Sequence, residues 1–218
     1  MKTKKKTTLA LEYSKSGFTI KNGDVYLAKM KEPLHIVWSQ ECDLPSVSTV
    51  TVKRDKAGRW FVSLLCESQV ESKPITGKTV GIDLGVKDVV VLSDGRKLNP
   101  NKKATKKNEE RIKRCHRELS RKQKGSKNRE KAKLKLSRAY ARYTDTKRDW
   151  LHKTTTYLVN TYDVLCIEDL NVSGMTRKVS GKGRSAKAGL NRSILGNNFS
   201  ELRFMLEYKS GWYGRECL

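Results

Sequence analysis

Two acidic residues, Asp83 and Glu168, lie within or directly after apolar segments, where an ionised group needs a partner. Asp83 interrupts the apolar segment 79–86, and Glu168 follows the apolar segment 164–167. An ionised carboxylate that leaves water has to be paired, protonated or bound to a metal ion. Two carboxylates on adjacent strands suit Mg2+ or Mn2+, which prefer hard oxygen ligands. The predicted chemistry is phosphodiester hydrolysis with two metal ions about 3.5 to 4 Å apart.

Each acid also has a simpler explanation. An Asp before Leu-Gly is often a turn or cap residue, and Glu168 with Asp169 could cap a strand that meets a basic loop. The segment 81–85, Gly-Ile-Asp-Leu-Gly, also resembles the first phosphate-binding strand of the actin and sugar-kinase ATPases. Small hydroxyl residues usually follow the glycine in those proteins, whereas Val-Lys-Asp follows here at 86–88. A metal-dependent nuclease is therefore favoured over an ATPase.

The two acids can cooperate only if their strands are neighbours. The segment 78–86 predicts one strand and 89–92 a second, and a hairpin turn of sequence Ser-Asp-Gly-Arg follows at 93–96, so two or three antiparallel strands are expected. The segment 162–170 predicts another buried strand that ends in acids. The chain order of strand, hairpin, helices and strand allows the two acid-bearing strands to lie side by side.

A last helix is predicted after the second acidic strand. A loop rich in Gly, Ser and Lys is expected up to about residue 190, and the helix begins at Asn198. Glu201 stands three residues later, as in a capping box. The apolar face of this helix consists of Phe199, Leu202, Met205 and Leu206.

The segment between the acidic strands predicts a helical hairpin over about 101–161. Residues 101–148 contain 20 Lys and Arg against 5 Asp and Glu, a net charge of +15. Apolar residues recur at helical spacing on both sides of a break at Gly125-Ser126. Tyr140, Tyr143 and Trp150 lie on this stripe, and their spacing favours core packing over stacking on bases.

The N-terminal region predicts an antiparallel sheet. Short alternating segments between 7 and 66 are separated by turn sequences, and one of these segments is 35–38. The clearest hairpin is 46–67, with its turn at 56–58. We expect a partial β-barrel over 1–70 and a second domain over 78–218.

Composition indicates a nucleic-acid partner. The chain has 218 residues, of which 47 are Lys or Arg and 23 are Asp or Glu, and its net charge is +24. A charge of this size implies a polyanionic partner. An anionic membrane surface is the alternative, but no segment approaches the roughly 20 apolar residues of a spanning helix. The N-terminal lysines lack a following apolar segment, so no signal peptide is predicted and a cytoplasmic location is expected.

Cysteine and histidine do not suggest a metal site. The five cysteines are scattered and form no Cys-x-x-Cys pair, which argues against a disulfide framework and a zinc site. Cys66 and Cys166 lie in apolar strands, where we expect buried thiols. The three histidines are isolated, and none has a pattern typical of catalysis.

Several segments together resemble the TnpB (OrfB) family of insertion-sequence proteins. They are Gly-Ile-Asp-Leu-Gly-Val at 81–86, Trp-Leu-His-Lys-Thr-Thr at 150–155, Ile-Glu-Asp-Leu-Asn-Val at 167–172, Asn-Arg-Ser-Ile at 191–194 and Leu-Glu-Tyr-Lys at 206–209. The resemblance implies an RNA-guided, metal-dependent DNA endonuclease related to the type V CRISPR effectors. It also implies an α/β fold, in which a wedge-like barrel precedes a ribonuclease H-like RuvC domain carrying the helical hairpin.

The resemblance assigns roles to the two acids and predicts an incomplete site. Asp83 and Glu168 match the first two catalytic and metal-binding acids of the family. The family's zinc element and third catalytic Asp have no counterpart in the sequence, and Asp88, Asp163 and Asp169 are the nearby acids that could substitute. We therefore expect a Mg2+ or Mn2+ site with weak or no cleavage by this chain alone. The alternatives are an inactive RNA-guided DNA-binding module or repressor and a ribosome-associated basic protein.

Guide RNA and target DNA are the partners that the resemblance implies, and the basic hairpin is the predicted surface. Its Lys and Arg side chains would contact phosphates, an interaction that does not depend on sequence and weakens with salt. A solvated amphipathic hairpin is the alternative. The candidate residues are Lys113, Arg117, Arg121, Lys124, Lys127, Arg129, Lys133 and Arg138.

Overall fold

The computed structural model describes residues 9–39, 44–177 and 183–218 and has a mixed α/β architecture, as predicted. It divides into two compact units. One comprises the chain up to Gln69 with Arg114–Ala141, and the other comprises Val70–Lys113 with Arg142–Leu218. The N-terminal lysines, Cys42 and part of the predicted loop before residue 190 lie outside the described residues.

The described residues of the first unit form five antiparallel strands in two sheets. The strands are β1 (Ala10–Ser14), β2 (Phe18–Lys21), β3 (Asp24–Leu27), β4 (Val47–Arg54) and β5 (Trp60–Cys66). One sheet has the order β1-β4-β5, and β2 and β3 form a hairpin. The antiparallel prediction is confirmed, but the described strands form no closed barrel. The strand predicted at 35–38 is wrong, because these residues are exposed or half-buried and have no regular structure.

Local sequence explains the β2–β3 hairpin. Asn22 and Gly23 both have positive φ angles, 52° and 84°, which a two-residue turn between twisted strands requires. Val25 and Leu27 on β3 are buried with Val47 and Val50 of β4. These four residues form the centre of a small core.

The second unit is built on a five-stranded mixed sheet. Its strands are β6 (Thr79–Asp83), β7 (Val90–Leu92), β8 (Lys97–Leu98), β9 (Val164–Ile167) and β10 (Glu216–Cys217). They lie in the order β10-β9-β6-β7-β8. The β6-β7 and β7-β8 pairs are antiparallel, while β9 pairs in parallel with both β6 and β10. The two strands that precede or carry the predicted acids are thus neighbours at the centre of the sheet.

The described residues also form five α-helices: α1 (Lys102–Ser120), α2 (Lys127–Thr161), α3 (Val172–Met175), α4 (Arg184–Asn197) and α5 (Phe199–Tyr213). The predicted helical hairpin is confirmed, and Gly125 stands at its turn with a φ of 84°. The loop expected up to residue 190 is wrong at Val172–Met175, where α3 forms, and from Arg184 onward, where α4 begins. Its apolar positions are sparse, and Ile194 is the buried residue of this helix, so the sequence carries little helical periodicity.

The core of the second unit lies between the sheet and two helices. Val80, Ile82, Leu165 and Ile167 are buried on one face of β6 and β9. They belong to the same apolar cluster as Leu151, Leu158 and Val159 of α2 and Leu202, Met205 and Leu206 of α5. The apolar face predicted for α5 is confirmed. The capping box is wrong, because Asn198 Nδ2 donates to Glu201 Oε2 at 2.7 Å and caps no backbone amide.

Candidate active site

Strand register brings Asp83 and Glu168 together. Strands β6 and β9 pair in parallel, and Ile82 is opposite Ile167. Asp83 and Glu168 are the next residues, so both lie at the carboxyl edge of the sheet on strands about 5 Å apart. They also share one face, since the residues before them are buried on the opposite face and side chains alternate along a strand.

Both carboxylates are exposed, which corrects the reasoning from sequence. Asp83 is the last residue of β6 and Glu168 follows β9, so neither side chain has been removed from water. The cost of burying a charge therefore does not explain them. Within residues 9–39, 44–177 and 183–218, neither carboxylate accepts a hydrogen bond from the protein, so its oxygens are available to a ligand.

The other acids considered as substitutes have structural roles. Asp88 accepts hydrogen bonds from Lys97 Nζ at 2.9 Å and Asn99 Nδ2 at 3.0 Å, and these contacts hold its pKa below the usual range. Asp163 accepts from the Thr76 and Gly77 amides and pairs with Arg215 Nη1 at 2.6 Å. Both acids fix loops of the second unit.

Asp169 is engaged by an arginine of α5. Arg203 Nη1 lies 2.6 Å from Asp169 Oδ1, and Arg203 Nε lies 2.8 Å from Glu207 Oε1. The hydrogen bond to Glu207 raises the pKa of Arg203 above its usual range. Arg203 thus links the segment after β9 to α5 on the side of Glu168.

A small cleft of about 220 Å³ adjoins Glu168. Its lining includes Leu84, Asp169, Arg203, Phe204 and Glu207. Sequence reasoning did not single out Arg203, Phe204 or Glu207 as functional, because they lie about 35 residues from the acidic strand and only packing brings α5 there. The sequence signal closest to them was the family-like segment Leu-Glu-Tyr-Lys at 206–209, which contains Glu207.

Asp83 and Glu168 supply two of the oxygen ligands that a hard divalent cation needs. Asp83 and Glu168 present exposed carboxylates at the same edge, and oxygen ligands of this kind bind Mg2+ or Mn2+ together with water. The described part of the chain contains no group of three or more His, Cys, Asp or Glu side chains that could hold a metal ion. The pair is therefore the candidate metal site.

Most of the predicted phosphate-binding side chains are exposed. On and after α1 these are Lys113, Arg117, Arg121 and Lys124, and on α2 they are Lys127, Lys133 and Arg138. Arg129 is half-buried, and its Nη1 donates to the carbonyls of Leu119 at 2.8 Å and Lys122 at 2.9 Å. Cations at the end of a helix stabilise its last carbonyls, so Arg129 closes the hairpin. Arg138 Nε lies 3.4 Å from the Ala57 carbonyl.

Two expectations about side chains on this hairpin and sheet are wrong. Tyr140 is 45% exposed and its hydroxyl lies 2.8 Å from His116 Nε2, so it is no core residue. Tyr143 and Trp150 are half-buried, as helical spacing predicted. Cys166 is exposed because it lies on the less buried face of β9, and Cys66, the last residue of β5, is half-buried although it packs against the small core of the first unit. Among the described residues, no helix is long and apolar enough to cross a membrane.

Comparison with known proteins gives one family. Residues 62–179 match the OrfB_IS605 family, described as "Probable transposase". A protein of Streptomyces pristinaespiralis named "Putative RNA-guided DNA endonuclease" is 46% identical over 220 residues, covering 100% of this chain and 52% of the relative. InsQ of Escherichia coli K12, which carries the same description, is 39% identical over 180 residues, covering 79% of this chain and 44% of InsQ.

A more distant relative has the same description. A protein of Mycobacterium tuberculosis H37Rv with that description is 32% identical over 139 residues, covering 62% of this chain and 30% of the relative. The chain thus spans about half the length of the first two curated relatives and matches a smaller share of the third.

Proposed function

Because the chain belongs to the OrfB (TnpB) family of insertion-sequence proteins, we propose that it forms part of an RNA-guided DNA endonuclease in which Asp83 and Glu168 bind the catalytic metal. The observation that carries this proposal is the parallel register of β6 and β9. It supports a shared site because the two acids follow opposite residues on adjacent strands. The names of the relatives supply the substrate and the guide.

The fold of the second unit is proposed to be the ribonuclease H-like RuvC core. Its mixed sheet supports this assignment, since an antiparallel hairpin is extended by parallel strands and the two acids lie on the central pair. The helical hairpin is inserted between those two strands. The first unit would correspond to a partial wedge-like barrel.

We assign the same role to both acids. Asp83 and Glu168 would hold Mg2+ or Mn2+ from one face of the sheet, and their exposure leaves room for water and a phosphate. Bound there, two such ions would supply activation of water and stabilisation of the departing oxygen of a phosphodiester. The protein keeps two negative charges at one edge, which attracts the cation, and Arg203 fixes the adjoining segment through Asp169.

Guide RNA and target DNA are proposed as the partners. The net charge of +24 supports a polyanionic partner, and residues 101–148 carry a net +15 of it. The exposed Lys and Arg side chains of α1 and α2 would bind phosphates without reading sequence. Arg129 is excluded from this set because its donors hold the hairpin turn.

Cleavage of a matched DNA duplex in the presence of guide RNA and Mn2+ tests this function. We expect cleavage to be weak, because two acids hold metal less firmly than three, and Asp83→Ala or Glu168→Ala to abolish it. Glu216→Gln is the control, since Glu216 is an exposed acid of the same sheet at the opposite end of β9. Cleavage that survives Asp83→Ala would contradict the assignment.

A binding module without chemistry is the second candidate. It is favoured by the finding that the described residues bring together two acids but no group of three. In that case the chain binds guide RNA and matched DNA with no cleavage in Mn2+. Binding to a matched duplex no tighter than to an unmatched one would exclude both candidates.

A further inference from the structure

The β4–β5 hairpin carries an exposed tryptophan that packs against an arginine. Arg54 is opposite Trp60 in the strand register, and its guanidinium carbon lies 5.5 Å from the centre of the indole ring. A guanidinium over an aromatic face is an attractive arrangement. Trp60 keeps 59% of its surface exposed, so the ring face away from Arg54 is open. The pair thus presents a flat aromatic surface to solvent.

The basic helix α2 packs against the turn of the same hairpin. Arg138 Nε lies 3.4 Å from the carbonyl oxygen of Ala57, a buried residue. A Cβ atom added at Gly58 would lie 3.6 Å from Arg54 Nη2 and 3.8 Å from Leu134 Cδ1, so the Arg54 guanidinium and α2 meet at the turn. All of these residues belong to the first unit. The tryptophan–arginine pair therefore adjoins α2.

Positive charge predominates around this pair. Residues 53–59 contain four Lys or Arg and one acid, and residues 127–141 contain six Lys or Arg and one acid. The acid of the turn, Asp55, is ion-paired with Arg59 at 2.8 Å. In the part of the chain that the structure describes, no acidic side chain pairs with Arg54. The surface is therefore complementary to a polyanion.

We infer that an unpaired base of an RNA strand stacks on the open face of Trp60, while Arg54 and the cations of α2 bind phosphates of that strand. Aromatic side chains beside basic ones are typical of surfaces that hold single-stranded nucleic acid. The inference rests on the proposed RNA-guided function and deepens it, because it names a surface that holds the guide.

RNA is the partner that this surface fits best. The loops and ends of an RNA display unpaired bases, whereas the bases of a target DNA duplex are stacked on one another. An apolar protein partner would also cover an exposed tryptophan, but the excess of positive charge around Trp60 favours a polyanion.

The test measures binding of labelled strands of about 12 nucleotides to the intact 218-residue chain by fluorescence anisotropy. The strands are oligouridylate, oligodeoxyuridylate and an abasic ribose-phosphate strand of equal length and charge. EDTA and about 200 mM salt keep metal binding and non-specific phosphate binding from dominating.

The variants change the aromatic ring in steps, as Trp60→Ala, Trp60→Leu and Trp60→Phe. Phe61→Ala is the matched control, because Phe61 is the next residue of β5, is 46% exposed and lies on the opposite face of the strand. Tm is measured for every variant, and the affinity for the abasic strand reports whether the basic surface is intact.

Stacking predicts a loss that depends on bases. Trp60→Ala should weaken oligouridylate binding about 10-fold and leave binding of the abasic strand unchanged. Trp60→Phe should retain most of the affinity, whereas Trp60→Leu should not. No loss in Trp60→Ala, equal losses on both strands, full affinity in Trp60→Leu or an equal loss in Phe61→Ala would each overturn the inference. Tighter binding of oligodeoxyuridylate than of oligouridylate would overturn the assignment to RNA.

Failure of this inference and failure of the proposed function give different results. The binding measurement contains no divalent cation, so an absence of cleavage leaves a base-dependent role of Trp60 intact. Conversely, guided cleavage that depends on Asp83, together with oligouridylate binding that does not depend on Trp60, would overturn this inference alone.

Discussion

At the scale of single residues, the Asp83 and Glu168 carboxylates repel each other unless a cation lies between them. For charges about 5 Å apart the repulsion is about 1 kcal/mol in water and about 3 kcal/mol at an effective dielectric constant near 20. Both side chains are exposed, so the lower value applies best. At that separation the pair would carry a small repulsion, which a bound divalent ion would relieve.

Neutralising one acid should stabilise the metal-free protein. We expect Asp83→Asn to raise Tm in EDTA by about 1 to 3 °C, because it removes the repulsion. In Mn2+ the unsubstituted chain should gain Tm through binding to the folded state, while the variant should not. Thermal unfolding followed by circular dichroism checks both, with Glu216→Gln as control. An Asp83→Asn variant that gains as much from Mn2+ would contradict a role in metal binding.

At the scale of elements, Asp163 and Arg215 tie three segments of the second unit together. Arg215 donates to Asp163, to the Val159 carbonyl of α2 at 3.0 Å and to the Pro74 carbonyl at 2.8 Å, and its side chain is buried. Asp163 also accepts from the amides of Thr76 and Gly77. The link joins the segment before β6, the end of α2 and the start of β10.

Acid should weaken this link. Burial alone would raise the pKa of Asp163, but the Gly77 and Thr76 amides and the Arg215 charge outweigh it and lower that pKa. The contribution to stability is present above about pH 4 and is lost as pH falls through the lowered pKa. Asp163→Asn should lower Tm at pH 7 and flatten the fall of Tm in acid. Asp149→Asn, which removes an exposed ion pair with Lys153, should change neither.

Removing Arg215 should be more damaging at every pH. Arg215→Met leaves the Asp163 charge and two backbone carbonyls without their donor, so we expect Tm to fall by about 5 °C or more. Arg203→Met is the comparison, because Arg203 is also ion-paired but is 34% exposed. Equal Tm values for Arg215→Met and the unsubstituted chain would show that the link is not structural.

The elements that the sequence predicted well have local signals. The β2–β3 turn needed an Asn-Gly pair, and the helical hairpin carried a 3.6-residue period broken at Gly125. Helix α4 and strand β10 lacked such signals. Helix α4 buries little, and β10 has two residues that are ordered through parallel pairing with β9, more than 50 residues earlier in the chain.

The candidate site, like the fold, was predictable only where the local sequence carried a signal. The apolar segments around Asp83 and Glu168 identified the strands, and their adjacency followed from chain order. Their exposure did not, because a residue at the end of a strand and one in its middle look alike in a short apolar segment. The contribution of Arg203 and Phe204 depended on how α5 packs, which the sequence does not specify.

At the scale of the whole molecule, charge is the dominant feature. For a chain with a net charge of +24, binding to a polyanion would release counterions, so its affinity for DNA should fall steeply with salt. A substitution of Arg129 allows an effect on folding to be told apart from an effect on DNA binding. Arg129 belongs to the same basic hairpin, but its guanidinium donates to backbone carbonyls.

Substitutions on the basic hairpin should therefore divide into two classes. The double variant Lys124→Gln with Lys127→Gln should keep Tm and reduce the slope of log affinity against log salt by up to about 1.8 on duplex DNA. Arg129→Gln should instead lower Tm, because the Leu119 and Lys122 carbonyls lose their donor. Titrations at several salt concentrations, with Tm measured in parallel, check this. An unchanged slope in the double variant would show that these lysines do not contact phosphates.

Direct titration of Mn2+, with free ion measured by electron paramagnetic resonance, tests the central claim that Asp83 and Glu168 form one metal site. The unsubstituted chain and Glu216→Gln should bind Mn2+ with the same affinity. Asp83→Asn and Glu168→Gln should each weaken binding at least about 10-fold, a loss of about 1.4 kcal/mol. Undiminished Mn2+ binding in both variants would contradict the account.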